Sequence, residues 1–273
     1  MSFRTYRDLT GPDASGIVAQ VVAQRARVAE RLAGVGRVVA VMSGKGGVGK
    51  SLVTARVAGA AAEAGAAVGV LDADFNGPTI ARLLGATGPL QVSGDAVTPL
   101  RGDHGVRCVS MAHLLEDGRP LEFHGPESDG HLWRGALEAA ALREFLGDVA
   151  WGRLDLLLID LPPGLSRFLE LCDLLPSPPE VLTVTIPTPE SRDAVRRALR
   201  AAVERGARAI GVIENMAGPQ YPGDAGLSLS QEFSIPLFAR VPFHPEPGVW
   251  RSLAASIGAA GADSATRIPR SAS

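Results

Sequence analysis

A glycine-rich stretch, SGKGGVGKS over residues 43–51, constrains the fold of this chain more than any other feature of the sequence. From Gly44 to Ser51 it has the spacing G-x-x-x-x-G-K-[ST], in which backbone amides surround phosphate oxygens. The apolar run RVVAVM precedes it, and an alanine-rich segment that stops at Gly65 follows it. The stretch therefore lies between a predicted strand and a predicted helix, the context that a phosphate-binding loop (P-loop) requires.

Six further apolar runs alternate with helical patterns along the chain. Continuous apolar strands that alternate with helices predict an α/β fold with a mostly parallel sheet covered by helices on both faces. Together with the glycine-rich stretch, this predicts a three-layer P-loop NTPase. Two Gly/Pro/Ser-rich segments, 85–105 and 216–232, are predicted to be loops. The runs are AVGVLDAD (67–74), RCVSM (107–111), RLDLLLIDL (153–161), EVLTVTI (180–186), RAIGVIEN (208–215) and LFARV (237–241).

The predicted domain organisation has three parts. Residues 1–34 are expected to form an N-terminal helical extension, because apolar positions from Ile17 to Leu32 have amphipathic spacing. Residues 35–262 are expected to form the P-loop ATPase domain, and residues 263–273 a flexible tail.

Composition excludes several classes of function. The formal net charge is −2, which provides no basic field for nucleic acid or an anionic membrane. No apolar run approaches the ~18 residues of a membrane span, and the first residues contain no apolar signal segment. Two cysteines, Cys108 and Cys172, are typical of a reducing compartment. We therefore expect a cytoplasmic protein that contacts no membrane and does not bind nucleic acid.

The basic residues point to the same glycine-rich loop. Of the 27 basic residues 25 are arginine, and the only two lysines are Lys45 and Lys50. We expect Lys50 to reach the β- and γ-phosphates of a nucleotide and the Ser51 hydroxyl to bind Mg²⁺. Asp160 ends a buried strand beside the loop and is expected to hold Mg²⁺ through a water. Asp72 and Asp74 end another strand, and one of them is expected to orient or deprotonate the attacking water.

With Lys45 in its second position, the loop resembles the deviant P-loop of the MinD/ParA/nitrogenase-iron-protein class. More closely, the chain resembles the Mrp (ApbC-like) family of ATPases, which act as iron–sulfur cluster carriers. The similar segments run in order over roughly residues 36–245. They are RVVAVMSGKGGVGKS, VLDADFNGPTIARLLG, LWRGALEAAALREFL, WGRLDLLLIDLPPG, VLTVTIPTPESRDAVRRAL, GVIENMAG and IPLFARVPFHP.

The resemblance implies a homodimer with two ATP molecules at its interface, slow ATP hydrolysis and a protein client. Lys45 would reach the partner's nucleotide, Asp74 would position the water, and Asn215 would contact the adenine ring. The loop after DLPPG would sense the γ-phosphate. The implied ATP-binding residues are Gly44, Lys45, Gly46, Gly47, Val48, Gly49, Lys50, Ser51, Leu52 and Asn215.

The chain departs from the family where the cluster would bind. The family has a Cys-x-x-Cys pair shortly after ENM, whereas this chain reads ENMAGPQY, without cysteine. Cys108 and Cys172 are predicted to be core thiols, and His113, His124 and His131 loop histidines. The segment 121–132 is an insertion, and LSRFLELCD follows LPPG in place of the usual TGD.

Three functions remain open from the sequence. The first is iron–sulfur or metallocofactor assembly, through atypical ligands or beside a cysteine-bearing partner. The second is a ParA/MinD-like switch that recruits a protein partner without any cluster. The third is a nucleotide-binding regulator that barely hydrolyses ATP.

Overall fold

The computed structural model of the chain describes residues 17–75, 77–114 and 130–260. The predicted tail, most of the 121–132 insertion, the first 16 residues of the predicted extension, His124 and the side chain of His131 lie outside the described residues. Within the described ranges, no helix is both long enough and apolar enough to cross a bilayer.

An eight-stranded sheet forms the centre of the fold. Its strand order is β10-β9-β8-β1-β7-β2-β6-β5, and every neighbouring pair is parallel except the antiparallel β5 and β6 at one edge. Two further strands, β3 and β4, form a separate antiparallel pair. The strands are β1 (Val38–Ser43), β2 (Val68–Asp72), β3 (Gln91–Ser93), β4 (Ala96–Thr98), β5 (Leu100–Arg101), β6 (Arg107–Ser110), β7 (Leu156–Asp160), β8 (Glu180–Thr185), β9 (Ala209–Ala217) and β10 (Leu237–Pro242).

Helices cover both faces of this sheet. Ala40 and Met42 of β1 face one apolar cluster, which α1, α4, α5, α6 and α7 complete. Val39 and Val41 alternate with them and face a second cluster, which α2, α3 and α8 complete. The predicted three-layer α/β fold is therefore confirmed. The helices are α1 (Ile17–Leu32), α2 (Lys50–Glu63), α3 (Ile80–Leu83), α4 (Gly130–Asp148), α5 (Ser166–Leu174), α6 (Pro189–Glu204), α7 (Ala225–Phe233) and α8 (Gly248–Ala259).

The amphipathic helix expected before the P-loop is present as α1. Its Val28 and Leu32 are buried in the same cluster as the apolar face of α4. Arg27 pairs with Asp148 at the end of α4, with 3.0 Å between Nε and Oδ1. The described part of the N-terminal segment therefore packs on the domain itself.

Both loop predictions were wrong. The segment 85–105 contains β3, β4 and β5, which have only two or three residues each and are mostly exposed, so they show no apolar alternation. The segment 216–232 contains the end of β9 and most of α7. Glycine and serine at the start of α7 favour a loop locally. Tertiary contacts decide otherwise, because Leu229 is buried and the Gly226 amide donates to Glu214 Oε2 at 2.6 Å.

Candidate functional site

The P-loop leaves the carboxyl end of the central strand β1 and leads directly into α2. Gly47 and Gly49 both have φ of +78°, a left-handed conformation that glycine adopts without steric cost. A Cβ on Gly44 would lie 2.4 Å from the Val195 nitrogen of α6. The glycine spacing therefore follows from the backbone path, which brings the loop close to α6 and to the N-terminus of α2. Backbone amides and the helix dipole make such an N-terminus favourable for phosphate.

Three P-loop and α2 side chains converge on the carboxylate of Asp160, at the end of the neighbouring strand β7. Lys50 Nζ and Ser51 Oγ each lie 2.6 Å from Asp160 Oδ2, and Thr54 Oγ1 donates to Oδ1 at 2.7 Å. Asp160 is fully buried, and Lys50 is 6% exposed. The structure thus brings together the three predicted residues Lys50, Ser51 and Asp160.

Sequence reasoning missed Thr54. The available signal was its spacing, because Thr54 follows Lys50 by one helical turn and therefore lies on the same face of α2.

Ser51 and Asp160 fit the requirements of a Mg²⁺ site. A hydroxyl and a carboxylate are hard oxygen ligands of the kind that Mg²⁺ prefers, and here they are in hydrogen-bond contact. Asp160 is enclosed by protein, so its charge is balanced locally, by Lys50 in this structure. These two residues would hold the ion beside the phosphates of a nucleotide in the loop.

The two aspartates after β2 have different surroundings. Asp72 is 1% exposed and lies opposite Asp160 in the sheet register. Its carboxylate accepts hydrogen bonds from the Ile80 amide at 3.1 Å, the Ser110 hydroxyl at 3.0 Å and the Asp74 amide at 3.2 Å. Burial, and then the charge of Asp160, raise the pKa of Asp72 to about 7.

Asp74 is half-buried, and no described donor reaches its carboxylate. The Asp72 carboxylate therefore accepts hydrogen bonds from nearby backbone amides, while the Asp74 carboxylate is available to a ligand.

Asn215 supports the P-loop from β9. Its Nδ2 donates to the Val48 carbonyl at 2.9 Å, and its side chain is 5% exposed. A Cβ on Gly49 would lie 2.4 Å from the same nitrogen, so Asn215 also requires glycine there. The next residue, Met216, has φ of +57°, which is uncommon for a residue with a side chain. The adenine contact expected of Asn215 stays a prediction.

Lys45 and Leu52 lie at the edges of the loop. Lys45 is half-buried, and none of the described carboxylates lies within ion-pair distance of it. Hydrogen bonds at the start of α6 lower the pKa of Glu190, and the charge of Lys45 lowers it further. Leu52 is 40% exposed in the first turn of α2. The roles expected of both residues stay predictions.

The two cysteines lie on opposite faces of the sheet. Cys108 of β6 packs in the cluster that contains Val39, and Cys172 of α5 packs against the cluster that contains Met42. Burial raises the pKa of the Cys108 thiol strongly and that of Cys172 to about 11. The two thiols therefore do not form a pair of ligands in this fold.

Other candidate metal ligands do not gather either. His113 uses both ring nitrogens inside the protein: Nδ1 accepts from the Ser110 amide, and Nε2 lies 2.8 Å from the Ala86 carbonyl. In the ranges that the structure describes, no three His, Cys, Asp or Glu side chains are grouped so that they could bind a metal ion.

A phosphate-binding loop at the end of a central parallel strand, with a buried aspartate ending the next strand, defines a P-loop NTPase. The sequence profile of the ParA family, described as NUBPL iron-transfer P-loop NTPase, matches residues 34–251. This chain belongs to that family, and the Mrp-like resemblance is confirmed.

Curated relatives have names that refer to iron–sulfur clusters. The iron-sulfur cluster carrier protein of Saccharolobus solfataricus is 35% identical over 239 residues, 83% of this chain and 77% of that protein. The cytosolic Fe-S cluster assembly factor NUBP2 of Bos taurus is 38% identical over 231 residues, 79% of this chain and 82% of that protein. The iron-sulfur cluster carrier protein of Mycobacterium bovis is 38% identical over 226 residues, and the chain spans 56% of its length.

Solved structures agree with the fold. A nucleotide-binding protein from Archaeoglobus fulgidus, in complex with ADP, superimposes with a TM-score of 0.67 at 33% identity. The match covers 85% of this chain and 92% of that one. The septum site-determining protein MinD of Pyrococcus horikoshii, complexed with Mg-ADP, gives a TM-score of 0.56 at 19% identity over 84% and 96% of the two chains, a likeness of fold alone.

Proposed function

We propose that this protein is a Mg²⁺-dependent ATPase that acts as a dimeric switch in iron–sulfur or metallocofactor assembly. The observation that carries the proposal is the convergence of Lys50 and Ser51 on the buried Asp160 at the mouth of a glycine loop. The names of the relatives support the assembly role. A cytoplasmic location and an ATPase domain over residues 35–262 are part of the same proposal.

The proposed mechanism assigns a task to each side chain. The loop amides and the N-terminus of α2 bind the phosphates, and Lys50 moves from Asp160 to the β- and γ-phosphates. Ser51 and Asp160 would hold Mg²⁺, Asp160 through a water. When bound, the ion would neutralise charge that develops on the phosphates during transfer. Asp74 orients the attacking water, because its carboxylate is the one left available after β2.

Lys45 is the residue on which the dimeric part of the proposal rests. It is half-buried beside α6, and no described carboxylate pairs with it. We assign its ammonium group to the nucleotide of a second protomer, where it would stabilise phosphate charge as an arginine finger does. Lysine suits this task because its compact charge sits on a flexible stem.

Steady-state ATP hydrolysis by the full chain tests this proposal. Turnover should require Mg²⁺ and disappear in EDTA. Lys50→Ala should abolish nucleotide binding. Ser51→Ala should weaken Mg²⁺ binding and so raise the Mg²⁺ concentration needed for half-maximal turnover. Arg200→Ala is the matched control, because its side chain is 63% exposed on α6, away from the loop. Full turnover by Lys50→Ala would remove the assignment.

The cysteines favour a second candidate function, a ParA/MinD-like switch that recruits a protein partner without any cluster. The two thiols face opposite sides of the sheet, and ENMAGPQY contains no thiolate donor. Anaerobic reconstitution with iron and sulfide separates the two candidates. Stoichiometric bound iron supports a carrier with atypical ligands, and a Cys108→Ser/Cys172→Ser variant then shows whether these thiols or other groups bind it. No bound iron supports the cluster-free switch.

A further inference from the structure

Arg167 is a buried arginine that the mechanism above does not use. It lies in the first turn of α5, seven residues after Asp160, and its side chain is 8% exposed. Its two terminal nitrogens donate to Glu138 of α4 and Glu170 of α5. Its Nε is buried and has no partner among the described residues.

The guanidinium also stacks on the segment that carries Asp74. Arg167 Cζ lies 5.3 Å from the centroid of the Phe75 ring, within cation–π range. Phe75 follows Asp74 directly and is 6% exposed, so the backbone at Asp74 cannot shift without moving this ring. Within the apolar cluster that buries it, Phe75 also forms an edge-to-face pair with Phe145 of α4, at 6.2 Å between centroids.

The start of α5 is in turn fixed to the nucleotide loop. The Gly164 amide donates to the carbonyl of Ser43 at 3.1 Å, immediately before the P-loop. A Cβ on Gly46 would lie 3.9 Å from Pro163 Cγ, so the two loops lie side by side. A movement of the loop after Asp160 therefore reaches Arg167, and through Arg167 it reaches Phe75.

Stability alone does not account for an arginine at this position. A buried nitrogen without a hydrogen bond is unfavourable, and an apolar side chain of similar volume often replaces a buried ion pair without loss. The arginine does what an apolar residue would not, because one planar group joins α4, α5 and the Asp74 segment at once.

We propose that Arg167 is a positioning residue for hydrolysis, which couples the loop after Asp160 to the placement of the Asp74 carboxylate. The inference rests on the proposed ATPase activity and on the role of Asp74 in it. Asp72 fixes the Asp74 segment on one side, through the Asp74 amide, and Arg167 fixes it on the other, through Phe75. The nucleotide loop thereby sets the geometry of the water-positioning group.

The test measures kcat, KM for ATP and melting temperature for the full-length wild type, Arg167→Met, Arg167→Lys and Phe75→Leu. Arg167→Met should lower kcat about tenfold, because small misplacements near a reacting centre are costly, and should leave KM within about twofold. The kcat of Arg167→Lys should lie between those of the wild type and Arg167→Met, since an ammonium keeps the charge but cannot join both glutamates.

Arg37→Met is the matched control. Arg37 is partly buried, pairs with Glu180 and donates to the Ile257 carbonyl. It lies at the amino end of β1, whereas the site lies at the carboxyl ends of the strands. It should lower the melting temperature and leave kcat unchanged. Combining Arg167→Met with Phe75→Leu should reduce kcat no further than the more severe single change, because both interrupt one path.

The outcomes separate the inference from the proposed function. A wild type that does not hydrolyse ATP overturns both. An active wild type with unchanged kcat in Arg167→Met and Phe75→Leu overturns the role of Arg167 alone. The role of Arg167 is also overturned if Arg37→Met and Arg167→Met lose kcat in the same proportion to their loss of melting temperature. Arg167 would then be only structural. If Arg167→Met does not fold, Arg167→Lys and Phe75→Leu decide.

Discussion

Thr54 gives the most direct measure of how firmly the protein holds Asp160. Thr54 is 1% exposed, and its hydroxyl donates to Asp160 Oδ1 at 2.7 Å. Valine has nearly the same shape and a similar helix propensity, so Thr54→Val removes the hydroxyl and little else. A hydrogen bond to a charged group contributes about 1.5–3 kcal/mol, and Asp160 cannot replace the lost donor with bulk water because it is fully buried.

Urea unfolding at pH 7, without nucleotide and with EDTA, measures this difference. Thr54→Val should lower the free energy of unfolding by about 1.5–3 kcal/mol with an unchanged m-value. Thr54→Ser is the control, because it keeps the hydroxyl and loses one buried methyl group, a cost of about 1 kcal/mol. Thr54→Val that is as stable as the wild type, or more stable than Thr54→Ser, would refute the reasoning.

Three further predictions concern single side chains of the site. Lys45→Ala should leave ATP binding intact and reduce turnover, and Lys45→Arg should not restore it; equilibrium binding and steady-state hydrolysis check both. The pKa of Asp72 is about 7 in the folded protein and 3.8 for an ordinary aspartate, so the folded state holds a proton that the unfolded chain has lost. The free energy of unfolding should therefore fall as the pH rises between these values. Asp72→Asn should remove that fall in urea unfolding with EDTA, and an unchanged slope would contradict it. Asn215→Ala frees the Val48 carbonyl and should weaken ATP affinity about two- to tenfold in equilibrium titration, with kcat preserved.

The sequence predicted the parallel part of the sheet because all of its strands except the edge strand β10 are buried along most of their length. Such strands read as continuous apolar runs, and all seven runs correspond to strands. The carboxyl ends of neighbouring parallel strands meet on one side of the sheet, so the sequence alone predicts Asp160 beside the P-loop. The local pattern and the tertiary structure agree here because a strand that is buried in the sheet requires apolar residues along its length.

The features that were missed depend on contacts between distant segments. α7 forms where the local sequence favours a loop, because β9 supplies Glu214 as a partner for its first turn. Thr54 resembles any other residue of an alanine-rich helix until Asp160 is placed next to it. Arg167 is one of many arginines, and its importance becomes visible only when Phe75 and Glu138 are packed around it.

The ion pair between Lys50 and Asp160 links nucleotide binding to metal binding through charge balance. Both side chains are buried, at 6% and 0% exposure, so Asp160 cannot be left without a cation cheaply. Phosphate oxygens in the loop compete with Asp160 for Lys50, and a carboxylate that loses its lysine favours a divalent cation in its place. If ATP bound without Mg²⁺, the negative charge of Asp160 would have no cation beside it. If Mg²⁺ bound without ATP, it would have to displace Lys50 from Asp160. We therefore expect each to bind more tightly in the presence of the other, which follows from these two side chains alone.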